Sequence, residues 1–171
     1  VDFMPDGLSD CGIKKVLCYT DEQYEKVNKQ LTGTAISVEL VKVSKEGYKY
    51  STDISGETES TTLLDAPSNV KEFYGEVTSE DGQPVTITSI GASAFEGNNQ
   101  LTWVVLPESV TEIGSEAFKN CTGLEGLLID TKDTVTIGNE SLDGCTSLRF
   151  VGSNAMTGIM ESDYDPVVTD D

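Results

Sequence analysis

The chain has 171 residues, room for one domain or two small ones, and 37% of them are hydrophobic, enough for an ordinary core. Its 30 acidic and 11 basic side chains give a formal net charge of −19, which keeps a surface solvated and repels nucleic-acid backbones and anionic lipid headgroups. Histidine is absent, which excludes Ser-His-Asp and Cys-His catalysis and every His-ligated metal site.

Carboxylate pairs, Ser-Lys pairs and a lone thiol remain as chemistry, and none of them has a recognisable motif. No cofactor, metal or catalytic residue is therefore expected. No apolar run approaches the ~18 residues of a membrane span. The chain begins Val1-Asp2, which reads as the product of a precursor whose targeting segment has been removed.

Residues 1–10 are rich in turn formers and read as a loose start. Ile13 to Tyr19 reads as a strand. Thr20 has the character of a helix N-cap, with Gln23 as its capping-box partner and Asp21 and Glu22 at the positive helix end. Tyr24, Val27 and Leu31 share one helical face, so a helix is predicted from Asp21 to about Leu31, stopped by Gly33.

Ala35 to Ser44 is β-branched and apolar, a strand that returns through the Lys45-Glu46-Gly47 turn into Tyr48 to Ser51. Asp53 to Thr62 is polar and reads as a loop. Val70 to Val77 and Val85 to Ile90 flank Ser79-Glu80-Asp81-Gly82 as a second hairpin.

A single unit is then written three times. Ile90-Gly91-Ala92-Ser93-Ala94-Phe95 returns as Ile113 to Phe118 and as Ile137 to Leu142, with steps of 23 and 24 residues. Each copy is followed by a turn and a leucine, at Leu101, Leu124 and Leu148. Such a period marks a solenoid, whose coils bury apolar residues by stacking on one another. Leu101, Val104 and Leu106 are predicted to point inward, as are Leu124, Leu127 and Ile129. Leu148 and Val151 begin a third row, expected to break at Gly152 and Ser153. Phe95, Phe118 and Leu142 form another inward column.

After Ala155 the apolar period fades into Glu161, Asp163, Asp165, Asp170 and Asp171, a composition expected of a solvated tail. Carboxylates suit calcium, but the spacing lacks the Asp-x-Asp-x-Asp-Gly pattern of an EF-hand loop.

Cys121 and Cys145 hold the same slot of successive coils, roughly 4.8 Å apart as strands stack. Buried free thiols are the favoured reading there, with a bridge between coils as the alternative. Cys11 and Cys18 are close in sequence and either bridge, in an oxidising compartment, or stay free.

Ile-Gly-x-x-Ala-Phe, Asn-Cys-Thr-x-Leu and Leu-Pro-Glu-Ser-Val-Thr-Glu-Ile at residues 106–113 resemble the leucine-rich repeats of the BspA type found in bacterial surface proteins. The resemblance covers roughly residues 85–153. The hairpin before it, Val70 to Ile90, resembles the strand pair that often precedes such repeats. The chain departs from the pattern at Asn98 in place of Cys, at Leu142 in place of Phe, and by an insertion at residues 130–134. The resemblance implies a secreted or cell-surface protein of host-associated bacteria, used for adhesion or protein binding. The family has no catalytic residues to carry over.

The expected fold is α+β: a short leucine-rich-repeat β-solenoid of about three repeats, preceded by a small α/β capping unit with β-hairpins. Its parts are an N-terminal unit over 1–69, hairpin and repeats over 70–155, and an acidic tail over 156–171.

The outward positions of the repeat strands include Trp103, Val105, Glu125, Leu128, Arg149 and Phe150, the candidate binding residues. Trp103, Gly126 and Phe150 share one column, so two aromatics should flank a glycine gap of roughly 10 Å, two strand spacings. Exposed aromatics on a sheet face mark either a recognition patch or a surface covered by the rest of the chain. Three functions follow: a non-catalytic module binding a host or microbial protein, a carbohydrate-binding module stacking Trp103 and Phe150 on sugar rings, or an enzyme using a carboxylate pair. The first is favoured.

Overall fold

The structure, a computed structural model, describes residues 15–53, 59–130 and 134–153. The expectations placed on Cys11, on residues 1–10 and 131–133 and on the acidic tail lie outside the described residues. The elements run β1 (Lys15–Cys18), α1 (Asp21–Leu31), β2 (Ser37–Val43), β3 (Lys49–Asp53), β4 (Ser60–Asp65), β5 (Glu72–Phe73) and β6 (Glu76–Thr78). They continue β7 (Pro84–Thr86), β8 (Ser89–Ile90), β9 (Trp103–Leu106), β10 (Glu112–Ile113), β11 (Gly126–Ile129), β12 (Thr136–Ile137) and β13 (Phe150–Ser153).

Helix α1 has the predicted bounds because its ends are capped. The Thr20 hydroxyl accepts from the Gln23 amide at 3.2 Å, and the Gln23 side chain reaches back to accept from the Tyr19 amide at 3.1 Å. Gly33 follows with φ +86, a conformation other residues resist. The helix connects β1 to β2, which pair in parallel, with Val16 opposite Val38.

From β2 the sheet continues antiparallel through β3 and β4, and β4 pairs in parallel with β8, Leu63 lying opposite Ile90. The resulting order is β1-β2-β3-β4-β8-β10-β12 among the described residues. The expectation of a loop from Asp53 to Thr62 is therefore corrected: Asp53 ends β3, and Ser60 to Thr62 lie in β4, the strand that joins the first hairpin to the repeats. Its threonines hold this place through cross-strand hydrogen bonds. Thr61 meets Thr52 at 3.2 Å, and the Thr61 amide donates to the Thr88 hydroxyl at 2.8 Å.

The second hairpin is shorter than expected. Gly75 has φ +76 and breaks residues 70–77 in two: β6 pairs with β7, whereas β5 leaves the hairpin and joins the sheet β13-β11-β9-β5. There Phe73 lies opposite Val104.

The repeats coil as the sequence predicts. Ile90, Ile113 and Ile137 stand in register through β8, β10 and β12, while Val104, Leu127 and Val151 do so through β9, β11 and β13. The row expected to break at Gly152 and Ser153 continues instead, since these residues pair with Leu128 and Ile129 as part of β13. Val151 is 55% exposed, as it belongs to the last described coil.

The rings of Phe95 and Phe118 stack at 5.1 Å, with Leu142 packed against the same core. The ladder extends backward through Phe73, 5.2 Å from Phe95, to Tyr48, 5.5 Å from Phe73. Each buried phenylalanine contributes about 1.5–3 kcal/mol of apolar transfer.

Two further columns set the spacing of coils. After each isoleucine of the short strands stands a glycine. A Cβ on Gly114 would fall 2.6 Å from the Ala92 nitrogen, and one on Gly138 only 2.3 Å from the Ser115 nitrogen. The second is Asn98, Cys121 and Cys145. The Cys121 thiol donates to the Phe95 carbonyl at 3.0 Å, the Cys145 thiol to the Phe118 carbonyl at 3.1 Å, and the Asn98 amide to the Pro67 carbonyl at 3.2 Å. Cys18, Cys121 and Cys145 are free thiols. The asparagine thus makes the bond that the cysteines make one coil later.

Candidate recognition face

Strands β5, β9, β11 and β13 present one outward surface. In register, its first column is Glu72, Trp103, Gly126 and Phe150, and its second is Val105, Leu128 and Gly152. Trp103, Val105, Leu128 and Phe150 are half-buried, and Glu125 and Arg149 are exposed at the strand entrances. Those entrances are fixed by backbone bonds between coils: the Glu125 amide donates to the Thr102 carbonyl, and the Arg149 amide to the Glu125 carbonyl, both at 2.9 Å.

The predicted column exists, but the predicted gap does not. A Cβ on Gly126 would lie 2.0 Å from Cζ3 of Trp103 and 2.4 and 2.5 Å from the two bonded neighbours, Cε3 and Cη2. Distances to both neighbours so little longer than that to Cζ3 place the point above the ring face; beyond the ring edge both would be markedly longer. The indole therefore lies face-on over the glycine and fills the space a side chain would take. Phe150 leans instead along its own strand over Gly152, whose Cβ would fall 2.3 Å from the ring Cζ. The rings are within 11° of parallel and 6.3 Å apart between centroids, in place of the roughly 10 Å between strands two apart.

Two face residues escaped the sequence reading. Glu72 stands beside Trp103, and Tyr74, 57% exposed, donates its hydroxyl to the Glu72 carboxylate at 2.8 Å. That bond, more than partial burial, pushes the Tyr74 phenol above its ordinary pKa. The signal was present: Val70-x-x-Phe73 has the same spacing as Leu101-x-x-Val104 and Leu124-x-x-Leu127. Its coil lacks Ile-Gly-x-x-Ala-Phe, so it read as part of a hairpin.

Chemically the face offers an apolar aromatic surface edged by carboxylates and one guanidinium. Among the described residues no group of three or more Cys, Asp or Glu side chains is arranged to hold a metal ion.

The model of the BspA type leucine rich repeat region matches residues 66–162, in six copies. The chain belongs to this family. The motif itself is written three times, and the coil of Phe73, whose strand pairs with that of Val104, adds one more without the motif.

Among solved structures, a leucine rich cell surface protein from Faecalibacterium prausnitzii is 25% identical, with a TM-score of 0.51 over 66% of this chain and 32% of that chain. This BspA-type chain thus spans about a third of that protein's length, as the 32% coverage states. A leucine-rich repeat protein from Bacteroides capillosus is 23% identical over 66% of this chain and 98% of that chain, with a TM-score of 0.46. No curated protein matches the chain by sequence. No helix among the described residues is long and apolar enough to cross a membrane.

Proposed function

We propose that this BspA-type chain is a non-catalytic, secreted or cell-surface module that binds a host or microbial protein through the face of β5, β9, β11 and β13. The observation that carries this reading is the aromatic surface formed by Trp103 over Gly126 and Phe150 over Gly152. Aromatics on a rigid sheet lose little freedom on binding and are common anchors of protein interfaces. Val105 and Leu128 extend the apolar area, and Glu125 and Arg149 form a charged rim. With a net charge of −19, the module favours a basic partner. The absence of histidine and the description of the Faecalibacterium relative as a cell surface protein both support the assignment. In this reading residues 1–69 cap one end of the solenoid, 70–155 carry the face and 156–171 form an acidic tail.

A second reading is favoured by one observation. The indole lies flat on the sheet over Gly126, and a flat aromatic ring on a sheet face is the kind of surface on which a pyranose ring stacks. The module then binds glycans, with Glu125 accepting from sugar hydroxyls.

Trp103→Ala and Phe150→Ala, checked for folding by circular dichroism, are compared with the parent on matrix proteins and glycan arrays. Loss of protein binding in both variants supports the first reading, and loss of glycan binding alone the second. Parent-like binding by both variants rejects the face.

A further inference from the structure

A cavity of about 540 Å³ lies between the start of α1 and the tip of the β6–β7 hairpin, well away from the aromatic face. That volume is in the range of small-ligand sites. Asp21 enters from the helix, Glu80 and Asp81 from the hairpin tip, and Lys42 and Tyr50 from β2 and β3, where they stand opposite each other.

The hairpin tip is held in place. The Glu46 carboxylate accepts from the Thr78 amide at 3.0 Å and from the Ser44 hydroxyl at 2.8 Å, and the Lys45 amide donates to the Thr78 carbonyl at 2.8 Å. Ser79 donates to the Asp81 carboxylate and accepts from the Gln83 amide at 3.1 Å. Glu80 and Asp81 are therefore fixed relative to the sheet that carries Tyr50.

Tyr50 gives the cavity its chemistry. Its side chain is almost wholly buried, at 2% exposure, and among the described residues its phenol hydrogen-bonds no protein group, the oxygen opening onto the cavity it lines. The phenol faces the hairpin carboxylates: burial first, then the charges of Asp81 and Glu80, push its pKa upward.

Lys42 forms no ion pair among the described residues; a second cation, Lys45, has its Nζ 3.0 Å from the Cβ position of Gly82 and, behind the Ser79 hydrogen bond, helps hold the Asp81 pKa down, which leaves the three carboxylates in excess of the two ammonium groups. The carboxylates are also too dispersed to hold a metal ion. Spread charge with an apolar floor, here Leu40 and Val41, suits a cation carried on an organic stem. Tyr19, 66% exposed, lines the mouth, where an aromatic ring attracts a cation.

We propose that this cavity binds an organic ammonium group, held between Glu80 and Asp81 with the Tyr50 phenol oxygen accepting from it, and with its apolar stem on Leu40 and Val41. The ammonium comes from a free alkylamine or from the lysine side chain of a partner. The proposal does not depend on the aromatic face.

The test is an NMR titration of the full chain with n-butylammonium chloride, with neutral n-butanol as the control and Nα-acetyl-lysine methylamide as the side-chain probe. Saturable shifts at the cavity residues are expected with the ammonium and not with the alcohol. Tyr50→Phe keeps the ring and removes only the acceptor, so binding should weaken about tenfold, as for one hydrogen bond to a charged group. The exposed pair Glu80→Gln and Asp81→Asn should abolish binding, and it decides the matter if Tyr50→Phe fails to fold. Binding by the lysine derivative as tight as by the amine assigns the site to a partner's lysine; binding by the amine alone assigns it to a small molecule. No saturable shift, equal shifts with butanol, or parent-like binding by the hairpin variant overturns the proposal.

Discussion

The indole of Trp103 occupies the space above Gly126 on the next strand, with Cζ3 2.0 Å from where a Cβ would stand. The packing of the face thus depends on a missing side chain. Gly126→Ala must displace the indole or the strand, a small-to-large change that costs about 1–3 kcal/mol. The chain has one tryptophan, so its fluorescence reports the site alone. A red-shifted emission and a lower urea midpoint are expected; an unchanged spectrum would contradict the packing described.

Gly138 is more constrained still, because its neighbours are the Ser115 nitrogen and the Gly114 carbonyl carbon, at 2.3 and 2.6 Å from its Cβ position. Backbone cannot rotate aside as an indole can. Gly138→Ala is expected to lower stability by at least about 1–3 kcal/mol. The adjacent exposed change Asn139→Ala should stay within about 0.5 kcal/mol. Equal denaturation midpoints for the two variants would show that the coils can separate locally without penalty.

Asn98 tests the column it shares with Cys121 and Cys145. Asn98→Ala removes a donor to the Pro67 carbonyl and an acceptor for the Gln100 amide, both at 3.2 Å. Leaving such groups unpaired costs about 1–3 kcal/mol. Asn98→Cys restores the first bond in the form used one coil later, so it should be the milder change. The ranking is read from urea unfolding of both variants.

Alkaline pH should loosen the stack. Burial, helped by neighbouring Cys145, raises the Cys121 thiol from 9.0 to about 12. A folded state that keeps its proton longer than the unfolded chain is fully stabilised below pH 9.0 and loses that stability as pH rises toward about 12. Tyr48, raised to about 12 chiefly by burial, acts in the same direction above pH 10. Cys121→Ala should flatten the fall of melting temperature that begins near pH 9.0. In the folded parent, Cys121 should resist alkylation that reaches it readily in urea.

How much of this was legible depended on whether a residue's role was written as a repeat. Ile90, Ile113 and Ile137, or Phe95 and Phe118, announce their columns because each must match its counterpart one coil away. The helix was equally plain, since Thr20, Gln23 and Gly33 act locally. Ser60 to Thr62 read as a loop because their polarity hides a strand whose support comes from Thr52 and Thr88, distant in sequence. The closing of Trp103 over Gly126 was also hidden: alternation assigns a side chain to a face but not the direction it leans along that face. Glu72 and Tyr74 were missed because Gly75 turns the chain between two sheets, and a single glycine does not say which way.

In the core, the joints between coils, whether glycine against backbone, thiol against carbonyl or Phe95 against Phe118, are made with the immediate neighbour; the Trp103–Phe150 pair on the outward face, which spans two coils, is the exception. Duplicating or deleting one 23- or 24-residue unit therefore leaves the remaining core joints chemically unchanged. A gene encoding such a protein can grow or shrink its outward surface one strand at a time, by ordinary recombination, without having to reinvent its core.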